Sequence, residues 1–488
     1  MGNTVIHSFL RSSVPVKRKA HAIDHDLSES DSEDYILSPK RRKIMSTTKY
    51  VYKTLFLEEQ GSDIKIVALN RTWNLHRLYL SQSPYFNSMF NGIWLETNQK
   101  EIHIGIEDEN ITACALHKVF GSFYQDEIHI NPLEAVSILA CATLLQLDDI
   151  ILQCVEVMKE SIYKETVISY YEAAELYGLA EIKASSLDWL YKNTLLTLSP
   201  QYLLQISCDL MSEIVSSHKL VVIQTEFSLY LLLKNWVFLK ENSSFTNFST
   251  ISQAAEEYFS EIKSDVPFLS KDIGAPYLKA FRALRLQHLV IHHVDMEIIE
   301  ADKIIPVDWF MPIFKIQWYK MLRVDQGTDK GPKQVSEEDF NRDCVRCGRV
   351  LQTDSQHGWR WTGFHFGFDI VITYKSGCFK LQRYQISDSD TNIVFQNHMQ
   401  IISLRSKKRH LMYRLGVYSL DKNGKTQMKG ETGIETVTLK ENEKITVLTF
   451  QQELQFPILL SANFLLATPV HSTDDIIPSG IRTSELYV

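Results

Sequence analysis

The chain has 488 residues, 44% hydrophobic and 23% charged. This is the composition of an ordinary globular protein, with room for roughly two to four domains. A net charge of −8 argues against a generally basic nucleic-acid binder. The seven scattered cysteines read as free thiols, and no stretch reaches the ~18 apolar residues that span a bilayer.

Residues 1–49 form a charged tail. Basic residues cluster at Lys17, Arg18 and Lys19 and again at Lys40, Arg41, Arg42 and Lys43, with acids between Asp24 and Asp34. Such a segment cannot bury enough apolar surface to offset its ordering entropy, so disorder is expected. Exposed basic clusters suit a nuclear import carrier; the plainer reading is a solvated charged tail. Ser28, Ser30 and Ser32 stand among acids and suit an acid-directed kinase, whereas Ser38-Pro39 suits a proline-directed one. Phosphate at Ser38 would add about −1.5 to −2 charges beside the second basic cluster. Gly2 invites myristoylation, but Ile6 stands where the pattern wants Ser or Thr.

Residues 50–160 read as the first folded unit. Ile64 and Ile66 alternate with Asp63 and Lys65, the period of a half-buried strand. A polar turn at Asn70 and Arg71 precedes Trp73, and a helical pattern is expected from about Leu75. Ser83-Pro84 opens a second short helix through Phe86, Met89 and Phe90. Ile102, Ile104 and Ile106 predict a strand; Leu116, Val119, Phe120 and Phe123 predict a helix. Asn131-Pro132 starts a nearly all-apolar helix, Leu133–Leu145, which must be buried on most sides.

Residues 161–335 read as almost wholly helical. Ala173, Ala174 and Tyr177 share a face that ends near Gly178, Ser199-Pro200 caps another helix, and Glu226 stands ten residues before Trp236. Residues 340–488 change to strands. Trp359 and Trp361 alternate on odd positions, whereas Phe364 to Tyr374 alternate on even ones. The slip at Gly363 predicts a β-bulge within one long strand. Further strands are expected at Cys378–Tyr384, Leu411–Leu420, Val437–Leu439, Ile445–Phe450 and Ile458–Leu466, with hairpin turns at Asp421–Gly424 and Glu441–Lys444. Regular spacing of this kind implies a β-sandwich.

Residues Ser62–Phe90, with an internal Leu-His-Arg and Ser-Pro-Tyr-Phe, resemble the core of the BTB (POZ) domain. The segments Tyr171–Leu179 and Leu187–Asn193, and the Glu226 to Trp236 spacing, resemble the BACK domain. No Gly-Gly pair or repeat near 50 residues supports a Kelch propeller. The acidic stretch and basic clusters of the tail, the BTB unit, the helical middle and the aromatic segment Cys347–Tyr374 together resemble the germ cell-less family over nearly the whole chain. The expected fold is therefore multidomain: an α+β BTB domain, an all-α BACK-type region, and an all-β sandwich-like domain.

The resemblance implies a non-catalytic, substrate-specific adaptor of a cullin-3 ubiquitin ligase, with a role in germ-cell development. The BTB domain would dimerise and bind cullin-3. The C-terminal domain, expected to fold independently, would select an unidentified protein substrate. In such adaptors an apolar-x-Glu motif follows the helix ending in Met-Phe, which here assigns Met89, Phe90, Trp94, Leu95 and Glu96 to the cullin contact. Nuclear or nuclear-envelope residence is expected, with a cytoplasmic or cortical pool. The alternative is a nuclear-envelope scaffold or transcriptional co-regulator that uses the BTB domain only for self-association.

Other constellations are weaker. Cys344 and Cys347 form a lone CxxC, with Cys378 a remote third ligand. His288, His292 and His293 are expected to be structural, as is His76. No metal, cofactor, nucleic acid or catalytic residue is expected.

Overall fold

The computed structural model describes residues 46–91, 99–261, 266–325, 335–363, 368–384, 408–440 and 443–467. It divides into two compact units, Met1–Val157 and Met158–Val488.

In the first unit Ser46 caps α1 (Thr47–Val51), which runs on as a π-helical stretch, Tyr52–Leu57. A small sheet follows, with β1 (Ile64–Ala68) paired antiparallel to β2 (Arg71–Leu75) and parallel to β3 (Glu101–His103). Leu69 and Asn70, with φ of 45° and 56°, form the tight two-residue turn whose twist suits a hairpin. The helix expected from Leu75 is thus corrected. Arg71–Leu75 is a strand because Ile66 opposite Trp73 and Ile64 opposite Leu75 bury all four side chains on one face.

Helices α2 (Arg77–Leu80), α3 (Pro84–Asn91), α4 (Ala113–Ser122), α5 (Ala135–Leu144) and α6 (Asp148–Glu160) follow. α5 is buried along most of its length, including Ile138, Leu139 and Cys141, as its nearly continuous apolar sequence requires.

The second unit opens with helices: α7 (Val167–Leu176), α8 (Ala180–Asn193), α9 (Pro200–Gln205), α10 (Cys208–Ser216), α11 (Phe227–Glu241), α12 (Ile251–Glu261), α13 (Leu278–Arg282), α14 (His293–Asp302), α15 (Met311–Asp325) and α16 (Glu337–Asp343). The interruption of the apolar α11 by Lys234 has a structural reason. Its ammonium lies 2.5 Å from the Asp302 carboxylate, which also accepts from the Tyr230 hydroxyl at 2.7 Å, and all three residues are buried.

Two sheets complete this unit. One has the order β10-β8-β12-β4, with β9 also on β8; the other runs β11-β7-β6-β5. The strands are β4 (Val345–Leu351), β5 (His357–Gly363), β6 (Phe368–Lys375), β7 (Cys378–Tyr384), β8 (Lys408–Leu420), β9 (Thr426–Glu431), β10 (Glu435–Lys440), β11 (Lys444–Thr449) and β12 (Ile458–Leu466). Between the sheets lies a core that includes Trp361, Ile372, Phe379, Leu415, Leu460 and Phe464.

Two turn expectations are overturned. No bulge joins Trp359 to Tyr374 in one strand; β5 and β6 are antiparallel neighbours, with Trp359 opposite Ile372 and Trp361 opposite Ile370. Pairing an odd position with an even one changes the phase of the alternation without any extra residue. Phe364, His365 and Phe366 lie outside the described residues. The strands on either side of Glu441–Lys444 do not form a hairpin pair, since β10 pairs with β8 in one sheet and β11 with β7 in the other; Glu441 and Asn442 themselves lie outside the described residues.

Nor is the sandwich free-standing. The five-stranded sheet presents Tyr418 and Leu459 on its outer face, where they pack with Val221, Ile223, Val350 and Leu420. β12 therefore has neighbours on both faces, which explains its almost unbroken apolar sequence. The helices and both sheets belong to one compact unit.

Candidate partner-binding surfaces

The first surface is the end of α3. Buried Ser83 donates to the Leu145 carbonyl at 2.6 Å and receives the Phe86 amide at 3.5 Å, fixing the helix start. Pro84 takes the first turn, where its missing N–H costs nothing. Phe86 is fully buried, its ring stacked on Phe90 at 5.8 Å. The Arg77 guanidinium lies over the other ring, 4.7 Å from the Phe90 centroid. Met89 and Phe90 are half-buried at the helix end. Trp94, Leu95 and Glu96 lie outside the described residues. So do Lys17, Arg18, Lys19, Lys40, Arg41, Arg42 and Lys43, and Ser28, Ser30, Ser32 and Ser38.

His76 sits just before α2, where its ring nitrogens approach the Tyr124 hydroxyl at 3.1 Å and the Gln60 carbonyl at 2.9 Å. Nearby, Trp73 Nε1 donates to His117 Nδ1 at 3.2 Å. That bond needs a free lone pair, and burial together with Arg71 depresses the His117 pKa. Both histidines serve packing.

The second surface is the seam between helices and sandwich. Glu226, at the start of α11, accepts Arg346 Nη2 at 2.5 Å, Arg346 Nε at 3.0 Å and the Arg285 amide at 2.9 Å. Arg346 also donates to the Val215 and Ser217 carbonyls at 2.9 and 3.0 Å. Arg346 and Glu226 are each about 1% exposed, so each charge depends on its partners. Arg285 adds bonds to the Asn341 and Cys344 carbonyls. These contacts join residues 120 positions apart, which no local pattern announces. The one local signal was the Glu226 to Trp236 spacing.

The same seam is closed at the β8–β9 hairpin. Asp421 Oδ1 accepts the Asn423 and Lys425 amides, each at 2.8 Å, and Gly424 takes φ +78°. The turn docks on α8. Trp189 Nε1 donates to the Asn423 carbonyl at 2.8 Å, Asn193 Nδ2 to the Gly424 carbonyl at 2.9 Å, and Lys192 to Thr426 at 3.0 Å. Beside it opens a groove of about 420 Å³, with Ile162 and Trp189 among its apolar walls and Lys159, Asp188 and Lys425 among its charged ones.

The cysteine pair does not converge. Cys347 lies in the sandwich core and donates to the Ala462 carbonyl at 3.4 Å, with burial holding its thiol pKa well up. Cys344 Sγ accepts instead from Arg285 at 3.0 Å and Asn463 at 3.4 Å. His288 contacts the Asp343 carbonyl, and His292 caps α14 with Asp295. Among the described residues no group of three or more His, Cys, Asp or Glu side chains could hold a metal ion, and no helix is long and apolar enough to cross a membrane.

The BTB/POZ domain family matches residues 52–162. The protein germ cell-less of Drosophila melanogaster is 36% identical over 491 residues, covering 95% of this chain and 84% of the relative. Germ cell-less protein-like 1 of Homo sapiens is 38% identical over 445 residues, 90% of this chain and 85% of the relative. Kelch repeat and BTB domain-containing protein 8 of Danio rerio is 28% identical, but covers only 38% of this chain. The chain is thus a BTB-domain protein of adaptor type with a BACK-like helical region, and BTB domains generally mediate dimerisation. Near-full-length likeness at this identity places the chain in the germ cell-less family.

Proposed function

We propose that this protein is a dimeric substrate adaptor of a cullin-3 ubiquitin ligase. The BTB unit dimerises and holds cullin-3, and the fused helix–sandwich body receives the substrate. The observation that carries the reading is the architecture. A BTB unit is followed by a second compact body that carries a groove at its seam, in a chain alike along nearly its whole length to germ cell-less proteins. The names of those relatives motivate a role in germ-cell development. The two basic clusters of the tail motivate nuclear or nuclear-envelope residence through an import carrier.

An apolar anchor with an orienting carboxylate is the common division of labour at an interface. The cullin contact is accordingly assigned to Met89, Phe90, Trp94, Leu95 and Glu96. The test is a Trp94→Ala, Glu96→Lys double variant with two readouts, dimer mass in solution and cullin-3 binding by calorimetry. Loss of one aromatic hot spot costs at least ~2 kcal/mol, roughly thirtyfold in affinity. The expected result is weakened cullin-3 binding with an intact dimer. Undiminished binding removes these residues as the contact. Absence of binding by the unmodified protein overturns the adaptor reading in favour of a scaffold that uses the BTB domain only to self-associate.

A further inference from the structure

The 420 Å³ groove beside the β8–β9 turn has an apolar floor. Ile162 and Trp189 line it, at 9% and 5% exposed. The Trp189 Nε1 proton is already donated to the Asn423 carbonyl, so the indole offers a ligand only apolar surface. Ala184 and Ser185 also line the space from α8, and their short side chains leave it open. The hydrogen bonds of Trp189, Lys192 and Asn193 to the turn hold the two walls in place. A ligand therefore meets a formed site and does not have to order it.

Charge at the rim narrows the choice of occupant. Lys159 is paired with Glu181 at 2.7 Å, and Asp188 with the buried Lys192 at 2.6 Å. Lys425, exposed on the third wall, has no acidic side chain in ion-pair contact among the described residues. The turn that carries it adds one acid, Asp421, and one further cation, Lys422. The Asp421 carboxylate is held on the Asn423 and Lys425 backbone amides through Oδ1. Glu431, farther along β9, is paired with Lys429 at 3.0 Å. The surroundings are thus one positive charge in excess, in a chain whose net charge is −8. An acidic group on the ligand complements that charge, whereas a basic one is repelled. A second copy fits poorly, because a two-fold contact through this surface sets concave against concave and Lys425 against its own counterpart.

We propose that the groove binds a short peptide segment of a partner protein, with one apolar side chain seated on Ile162 and Trp189 and an aspartate or glutamate a few residues away paired with Lys425. The apolar anchor supplies most of the affinity and the rim charge the selectivity. This rests on the reading of the helix–sandwich body as the substrate receiver, and it names the chemistry of the segment received.

The test probes an array of random nonapeptides with the full-length protein, without cullin-3. The expected result is selection of peptides that hold one large apolar residue and an Asp or Glu within a few positions of it. Lys425→Glu should weaken binding of a selected peptide about fivefold or more and favour the same peptide with Lys in place of the acid. Ala184→Trp should abolish binding by filling the groove. Both changes are at exposed positions, so thermal melts should match the unmodified protein. If Ala184→Trp melts early, the reversal of charge preference by Lys425→Glu decides instead. Selection without an acidic preference, an acidic preference that Lys425→Glu leaves unchanged, or no selection at all overturns the proposal. No selection together with self-association abolished by Lys425→Glu would assign the groove to a second copy. The adaptor reading fails separately: acidic, apolar peptides selected by a protein that does not bind cullin-3 would keep the groove and remove the ligase.

Discussion

The two compact units hold together in different ways. The BTB unit rests on apolar burial among near neighbours: Phe86, Phe120 and Trp73 pack edge to face or tilted, with centroids 5.4 and 6.2 Å apart. The second unit adds buried charge, Arg346 on Glu226 and Lys234 on Asp302. Apolar packing tolerates approximate partners, whereas a buried ion pair does not. It fails sharply when one member is lost, because the other is then stranded out of water. The contrast suggests that the first unit is a general-purpose module, and that the second was assembled around a fixed geometry.

The sharpest way to break that comparison is Arg346→Ala. Leaving Glu226 buried and unpaired should cost about 3–5 kcal/mol, read as early hydrogen exchange in the second unit with the BTB unit unaffected. Replacing both residues by Met removes the stranded charge and should recover part of the loss, with the remainder set by the Val215 and Ser217 carbonyls and the Arg285 amide, which lose these partners. If the double variant is no better than the single one, the lost backbone hydrogen bonds and not the stranded charge set the cost, and the contrast weakens. Phe86→Ala is the counterpart in the first unit. Emptying that fully buried site should cost a comparable ~3–5 kcal/mol through cavity formation, confined to the BTB unit.

Gly424→Ala probes the seam more gently. A Cβ there would stand 2.4 Å from Asn193 Oδ1 and 2.8 Å from Trp189 Nε1, at a φ of +78°. A cost of about 1–3 kcal/mol is expected, with the β8–β9 hairpin more accessible to protease and the sandwich core intact. An unchanged cleavage rate would mean that the turn does not hold the two parts together.

The smallest effect is pH dependence. His117 has a folded pKa below its ordinary 6.5, because burial and then Arg71 disfavour the charged ring. The folded state therefore binds fewer protons than the unfolded one just below that value. The associated stability is complete above about pH 6.5 and is lost as pH falls from there toward the depressed folded pKa. The BTB unit should melt earlier at pH 5.5 than at pH 7.5. His117→Asn keeps an acceptor for Trp73 but cannot take up a proton, so it should flatten this difference. His218 in the second unit is depressed likewise, by burial and then Arg414, so the slope should appear there too. A slope in only one unit would mark the other histidine as silent.

Much of the fold was legible where burial has a short period. The α5 run, the Ser83-Pro84 and Ser199-Pro200 caps and the strand Ile458–Leu466 all declare themselves within ten or so residues. β2 was not legible, because its five residues look like the approach to a helix until Trp73 and Leu75 are paired with β1. β4 hid behind its CxxC spacing, which suggests ligands rather than a strand whose side chains alternate between two faces. The odd-to-even switch at Gly363 was visible, but two explanations fit it, and only the partner strand separates a hairpin from a bulge. The seam was legible at one end only. Glu226 was conspicuous, whereas its pairing with Arg346 is a property of the packed chain.

The sheet order carries a consequence for synthesis. β12 is the last described strand, yet it sits between β8 and β4 in the middle of its sheet. Until residue 466 has left the ribosome, β4 has no β8-side neighbour and the sandwich core lacks its central wall. The helical region that backs the sheet is by then complete, a half-built mould waiting for its final strand. A premature stop just after Pro457 would therefore do more than shorten the protein. It would leave two exposed strand edges facing each other across a gap, the sort of nascent chain that quality control destroys, so late truncations should behave as nulls and not as mild alleles.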